Sequence, residues 1–199
     1  MNEVVEATQR WLVRAVIGLN LCPFAKGVHV KQQIRYAVSA ATTTDALLDD
    51  LERELGALAA TPAEQIETTL LITPHMLGEF SVFVDFLDLV NVVLKTQGYE
   101  GRFQVASFHP DYVFADAEAD DIANYSNRAP YSILHLLREE SLARAVETFP
   151  DAASIYDRNI ALLRQIGLAG WQALDVGRAS EPACRVVQGH AANKALSTD

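Results

Sequence analysis

Segments with apolar residues at helical spacing alternate along the chain with short, nearly continuous apolar runs. The helical spacing predicts helices at residues 3–20, 44–60, 79–97, 132–148 and 151–166. The apolar runs predict strands within residues 28–38, as VHV and then IRYAV, and at residues 68–73 and 103–108. The helix at residues 79–97 is apolar nearly all round, so we expect it to be deeply buried.

This order of elements predicts an α/β fold. Strand, helix, strand, helix, strand is typical of consecutive βαβ units, which pack into a mainly parallel sheet. We expect a small sheet of three to five strands with βαβ crossovers, an N-terminal helix and a helical C-terminal third. Because the strands are few, a ferredoxin-like α+β arrangement is the alternative. Residues 1–176 are expected to form one domain, and residues 177–199 a flexible tail.

The composition is that of one globular domain. The chain has 199 residues, of which 50% are hydrophobic and 21% charged, enough apolar material for a core. No stretch approaches the roughly 20 uninterrupted apolar residues of a membrane helix. The N-terminus lacks the basic-then-apolar order of a signal peptide. We therefore expect a cytoplasmic protein without a membrane partner.

The charge disfavours nucleic acid as a partner. Sixteen basic and 26 acidic residues give a formal net charge of −10, which repels phosphate backbones unless basic residues cluster locally. No basic run is present. Cys22 and Cys184 match no zinc or disulfide framework, so we expect two reduced thiols. The sequence does not indicate an oligomeric state.

The common catalytic signatures are absent from the sequence, including GxGxxG, the Walker A loop, HExxH, GxSxG and CxxC. Three stretches instead carry a resemblance: NLCPFAKG at residues 20–27, SFHPDY at residues 107–112, and NYSNRAPYSILHLLRE at residues 124–139. They resemble a family of uncharacterised bacterial proteins, catalogued as a domain of unknown function, and the likeness runs to about Trp171. The resemblance implies a stand-alone, single-domain bacterial protein and assigns no catalytic residue.

Two histidines directly follow predicted strands. His75 comes after the strand at residues 68–73, and His109 after the strand at residues 103–108. If these strands are parallel neighbours, both imidazoles emerge at the carboxyl edge of the sheet, where open α/β sheets bind ligands. There they would act as general acid and base, or hold a divalent metal together with Asp111. In the structural alternative, each imidazole only bonds a carbonyl near a strand end.

Cys22 is the candidate nucleophile. It follows the first helix, and Lys26 comes four residues later. A thiol needs a nearby cation or imidazole to become a thiolate near neutral pH, so Lys26 would supply charge and His75 or His109 a base. The alternative is a thiol that packs as a small hydrophobic side chain.

The polar loop before residue 132 is the candidate binding segment. Asn124, Tyr125, Asn127 and Arg128 are rich in hydrogen-bonding groups. Arg128 beside a helix N-terminus would hold a phosphate or carboxylate group. The alternative is that Arg128 pairs with the acidic residues upstream and fixes the path of the loop.

Two further cations complete the predicted substrate-binding residues, Lys26 and Arg138. Arg138 lies three residues after His135, so the two share a face of the helix predicted at residues 132–148.

We expect a small-molecule enzyme that acts on an anionic substrate at the carboxyl edge, by histidine acid–base or metal-assisted chemistry. Two alternatives stay open, a non-catalytic module that binds an anionic ligand and a protein-interaction domain. An enzyme should have a pocket where His75, His109 and Arg128 converge, whereas a binding module should have the Arg128 pocket with the histidines elsewhere. An interaction domain should show an exposed apolar patch.

Overall fold

The computed structural model describes residues 2–148 and 154–178 of the chain. Its helices are α1 (Asn2–Trp11), α2 (Ala25–Val30), α3 (Thr44–Ala60), α4 (Phe80–Thr96), α5 (Glu139–Thr148) and α6 (Ser154–Ala173). A π-helical turn (Leu12–Ile17) follows α1, and a 3₁₀ helix (Ile122–Ser126) lies in the polar loop. The strands are β1 (Ile34–Val38), β2 (Thr68–Ile72), β3 (Phe103–Phe108) and β4 (Ile133–Arg138).

The strands form one mixed sheet in the order β1-β2-β4-β3. β1 and β2 pair in parallel, as expected for a βαβ unit joined by α3. β4 lies between β2 and β3 and is antiparallel to both. β2 and β3 are therefore parallel to each other without being neighbours, and both strands end at the same edge of the sheet. The predicted α/β class, with an N-terminal helix and C-terminal helices, is confirmed.

The position of β4 corrects one predicted helix. Residues 132–148 are not one helix, because β4 occupies Ile133–Arg138 and α5 begins at Glu139. The run ILHLLR fits both a buried helix and a strand covered on both faces. The strand forms because its backbone completes the pairing between β2 and β3. His135 and Arg138 therefore do not share a helix face, and in a strand residues three apart point to opposite sides.

Several other elements form where the pattern predicted them. IRYAV is β1, and α3 begins after Thr43, whose side chain accepts a hydrogen bond from the amide of Ala46. The VHV part of the predicted strand is wrong, because residues 28–30 belong to α2. The helix predicted at residues 151–166 corresponds to the first part of α6, which has non-helical backbone at Gly167, with φ of 59°. Residues 151–153 and residues 179–199 of the predicted tail lie outside the described residues.

Apolar side chains cover both faces of the sheet. One face packs against α3 and α4 through a cluster that includes Leu47 and Phe83. The other packs against α1, the π-helical turn and α6 through a cluster that includes Trp11 and Leu163. The sheet therefore lies between two helical layers.

Helix α4 is less buried than its composition predicts. Its inner face contributes Phe83 and Phe86 to the core, but Val82, Leu89 and Val92 are 52%, 39% and 55% exposed. A helix in an outer layer keeps one face toward solvent whatever its sequence. The expectation of a deeply buried helix is therefore wrong. Separately, none of the helices in the described residues has both the length and the apolar character that crossing a membrane requires.

Candidate functional site

The loops that follow β2 and β3 meet at the carboxyl edge of the sheet. The carbonyl oxygen of Leu77 accepts one hydrogen bond from Ser132 Oγ (2.6 Å) and one from His109 Nε2 (3.0 Å). The amide of Asp111 donates to His109 Nδ1 at 2.9 Å, so Nδ1 is the unprotonated nitrogen and Nε2 carries the hydrogen. The imidazole therefore joins the two loops.

His109 is fully buried and packs against the rings of Phe80 and Phe83, with centroid distances of 5.3 and 5.2 Å. Burial lowers the pKa of His109, although its hydrogen bond to the Leu77 carbonyl acts in the opposite direction. Both ring nitrogens are engaged by backbone groups. This geometry agrees with the structural alternative for His109, in which the imidazole only bonds groups near the strand ends.

His75 and Asp111 are both exposed, and Asp111 contacts His109 through its backbone amide. Within residues 2–148 and 154–178, no group of three or more His, Cys, Asp and Glu side chains is placed to hold a metal ion. Neither His75 nor His109 lines either of the two cavities described below. The structure therefore does not gather the predicted catalytic and metal-binding residues around one cavity.

The two asparagines of the polar loop are used inside the protein. Asn124 is fully buried, accepts a hydrogen bond from the amide of Phe114 and donates one to the carbonyl of Glu118. Asn127 donates to the carbonyl of Ser107 in β3. These bonds position the loop against the sheet edge.

Arg128 is held by the same loop. Its Nε donates to the carbonyl of Tyr112 (3.3 Å) and its Nη2 to the carbonyl of Ala119 (2.8 Å). The guanidinium carbon lies 4.2 Å from the centre of the Tyr125 ring, a cation–π contact. Arg128 therefore braces the loop through carbonyl oxygens and the Tyr125 ring, and these contacts do not neutralise its charge.

Arg128 and Tyr125 line an open cleft of about 330 Å³, which we call the edge cleft. Its lining residues are Trp11, Pro110, Tyr125, Arg128, Ala129, Pro130, Trp171, Val176, Gly177 and Arg178. Pro110 follows β3 and Pro130 precedes β4, which places the cleft at the carboxyl edge. Of residues 2–148 and 154–178, two arginines line the cleft, whereas no aspartate or glutamate does.

Arg178 supplies the second charge of the edge cleft. Its Nε donates to the carbonyl of Pro130 at 2.8 Å, and its guanidinium carbon lies 5.3 Å from the centre of the Tyr131 ring. As far as the structure describes the chain, neither Arg128 nor Arg178 forms an ion pair with a carboxylate. A chain with a net charge of −10 therefore presents two guanidinium groups without carboxylate partners in one cleft.

A second cavity of about 350 Å³ lies between the sheet and the helices on one of its faces, and we call it the sheet cavity. All four strands contribute to its floor, and its walls come from α1, the π-helical turn, α2, α5 and the segment before α2. Cys22 lines this cavity together with His135. The thiol therefore shares a cavity with His135, and not with His75 or His109.

Burial lowers the pKa of His135 to about 4, so the imidazole is neutral near pH 7. The ring lies 6.0 Å from that of Phe108, and it makes no hydrogen bond to any described residue. From the sequence, His135 was named only as a neighbour of Arg138 on a predicted helix, so its position in β4 was not predicted. Interpretation of ILHLLR as a strand would have placed His135 on the same sheet face as Ile133 and Leu137.

The two remaining predicted cations lie away from the edge cleft. Arg138 donates from Nη2 to the carbonyls of Leu58, Thr61 and Ile66, at 2.8, 2.6 and 2.9 Å. Leu58 and Thr61 lie at the end of α3, where carbonyls lack helical partners, and Ile66 lies in the loop before β2. Arg138 also borders the sheet cavity, whereas Lys26 is exposed and lines neither cavity.

The sequence profile of one protein family matches residues 3–173 of the chain. The three stretches that carry the resemblance, at residues 20–27, 107–112 and 124–139, all lie within the matched region. No curated protein and no solved structure matches the chain. The match covers well over half of the chain, which therefore belongs to the family described as protein of unknown function (DUF1415).

Proposed function

We propose that this protein is a binding module that holds a small organic anion in the edge cleft, with an apolar, flat part of the ligand against the aromatic walls. One observation carries the proposal: Arg128 and Arg178 line the same cleft, and among the residues that the structure describes no carboxylate lines it with them. Charge-assisted hydrogen bonds from guanidinium groups to phosphate or carboxylate oxygens are among the strongest in proteins.

The fixed position of Arg128 favours binding. Two carbonyls and the Tyr125 ring hold its guanidinium, so little side-chain freedom is lost when a ligand arrives. Its Nη1 atom, and both Nη atoms of Arg178, donate to no acceptor within the described ranges. These atoms supply the donors that an anion would need.

The walls of the edge cleft favour an organic anion over an inorganic one. Trp11, Tyr125 and Trp171 contribute aromatic side chains, and Pro110 and Pro130 add further apolar surface. Aromatic rings stack on flat ligands, and most small-molecule sites combine such apolar walls with few polar groups.

The enzyme hypothesis has less support than the binding module. It requires His75, His109 and Arg128 to converge, and neither histidine lines the edge cleft. An Arg128 pocket with the histidines elsewhere is the arrangement expected of a binding module. A location in the bacterial cytoplasm is part of the same proposal, and it rests on the composition and the resemblance of the sequence.

Calorimetric titration with phenyl phosphate, inorganic phosphate and phenol tests the proposal. Phenyl phosphate carries both the charge and the ring, and each of the other two compounds carries one of them. We expect phenyl phosphate to bind more tightly than either fragment, with an affinity that falls as salt is added.

Arg178→Met and Arg53→Met form a matched pair of variants, because each removes one positive charge. Arg53 is exposed on α3, pairs with Asp50 and does not line the edge cleft. We expect phenyl phosphate to bind at least about tenfold more weakly to Arg178→Met, a loss of about 1.4 kcal/mol, and normally to Arg53→Met. Equal affinity for the two variants would contradict the proposal.

A further inference from the structure

We propose that the sheet cavity is a second binding site, which takes a small, uncharged, mostly apolar molecule with one hydrogen-bonding group directed at His135. This inference does not depend on the edge cleft. It rests on the size of the sheet cavity, the residues that line it and the position of one imidazole in its floor.

The sheet cavity is large for the interior of a protein. Interiors are close-packed and contain few voids larger than a water molecule, whereas ligand pockets span roughly 300–1,000 Å³. At about 350 Å³ the sheet cavity falls within the range of ligand pockets. Ala25 on α2, Ala106 on β3 and Ala145 on α5 line it, and their small side chains leave the space open.

The lining favours an uncharged ligand. Two charged residues line the cavity, Glu67 and Arg138, and their formal charges are opposite. Arg138 also donates hydrogen bonds to three backbone carbonyls, at the end of α3 and in the loop that follows it. The other lining residues are mostly apolar, so an ion of either sign would lose its hydration and would meet one like charge as well as one opposite charge. An uncharged molecule loses little on entry and gains by leaving water.

His135 supplies the polar group of the site. In the sheet register it is paired with Leu70 on one side and Ala106 on the other, so it lies in the middle of the cavity floor. A neutral imidazole has one donor and one acceptor, and no described residue bonds to either nitrogen of this ring. Because no protein group occupies either nitrogen, the imidazole is free to bond a ligand that enters the cavity.

Fluorescence titration with N-phenyl-1-naphthylamine, an uncharged apolar probe, tests the inference in the full chain. Ala145→Phe fills the sheet cavity, and Ala143→Phe places the same ring on the exposed side of the same helix. We expect saturable binding of one probe per chain, at least tenfold weaker in Ala145→Phe and unchanged in Ala143→Phe. Probe binding that does not saturate, or equal affinity for the two variants, would overturn the inference.

A second measurement detects the probe in the wild-type protein, without filling the cavity. In this measurement, ¹H NMR follows the carbon-bound ring protons of the five histidines, and comparison with the His135→Leu spectrum identifies the His135 signal. We expect the probe to shift this signal with the same affinity as the fluorescence change, and to leave the exposed His75 signal in place. A His135 signal that does not respond at saturating probe would rule out the sheet cavity as the site.

Discussion

The indole Nε1 of Trp11 donates a hydrogen bond to the carbonyl oxygen of Arg128 across 2.9 Å, although 117 residues separate them in the chain. The bond ties the first helix to the polar loop that carries Arg128. The Trp11 ring also contacts that of Phe108 edge-on at 5.1 Å, and the side chain lines both the edge cleft and the sheet cavity. Trp11 therefore links the N-terminal helix to both proposed sites.

Trp11→Phe should destabilise the protein, because it keeps a ring against Phe108 but removes the donor to the Arg128 carbonyl. We expect the free energy of unfolding to fall by about 1–3 kcal/mol, the cost of an unpaired polar group in a buried position. Urea unfolding measures the change. Trp171→Phe is the control, since Trp171 contacts the Tyr125 ring and donates no hydrogen bond to the described residues. An equal cost for both variants would show that the Trp11 hydrogen bond contributes nothing.

His109→Leu tests whether His109 is structural. The amide of Asp111 would lose its acceptor, while the Leu77 carbonyl would keep its bond from Ser132. We expect a loss of about 1–3 kcal/mol in the free energy of unfolding. His75→Leu, at an exposed position, should change stability by less than about 0.5 kcal/mol. Unchanged stability of His109→Leu would argue against the structural role.

The low pKa of His135 predicts a loss of stability in acid. Its folded-state pKa of about 4 lies below the ordinary value of 6.5, so the unfolded chain binds more protons between these values. Stability therefore falls as the pH drops through 6.5 toward 4, and His135 should account for about 2 kcal/mol between pH 7 and pH 5.

Urea unfolding of wild type and His135→Leu at both pH values isolates this contribution. The pKa of His109 is also lowered, but His109 is present in both proteins, so its effect cancels in the comparison. We expect the variant to lose about 2 kcal/mol less than wild type over this interval. The same pH dependence in both proteins would mean that His135 titrates as it does in the unfolded chain.

Arg138→Met should be costly, because Nη2 of Arg138 donates to two carbonyls at the end of α3 and to one in the loop before β2. We expect a loss of about 2–3 kcal/mol in the free energy of unfolding. Arg102→Met is a matched control, since Arg102 donates to the nearby carbonyl of Ala59 from an exposed position. The free energy of unfolding of Arg102→Met should fall by less than about 1 kcal/mol. A larger loss for Arg102→Met than for Arg138→Met would contradict the stabilising role of the Arg138 hydrogen bonds.

Local signals predicted most of the helices and strands. The bounds of α3 follow from its leucine spacing and from Thr43, and β1 follows from an apolar run next to turn residues. The pattern failed at β4, because ILHLLR is compatible with two structures and only pairing with β2 and β3 decides between them. Because β2 and β3 are distant from β4 in the sequence, a local pattern of residues cannot predict this pairing.

The candidate site was predicted only in part for the same reason. Arg128 and Tyr125 were identified by the density of polar groups in their loop, and both line the edge cleft. Arg178 was not identified, because it follows the last helix and reaches the cleft only through tertiary packing. The position of His109 at the carboxyl edge was correct, but a sequence cannot show that backbone groups engage both of its nitrogens.

The most direct test of anion binding in the edge cleft uses the two tryptophans of the chain, because both line it. Their indole N–H signals are followed by ¹H–¹⁵N NMR during titration with phenyl phosphate, and Trp11→Phe assigns them. We predict that both signals shift and saturate with one Kd in wild type and in Arg53→Met, and that saturation needs far more ligand in Arg178→Met. Indole signals that stay fixed while phenyl phosphate shifts resonances elsewhere would contradict binding in the edge cleft.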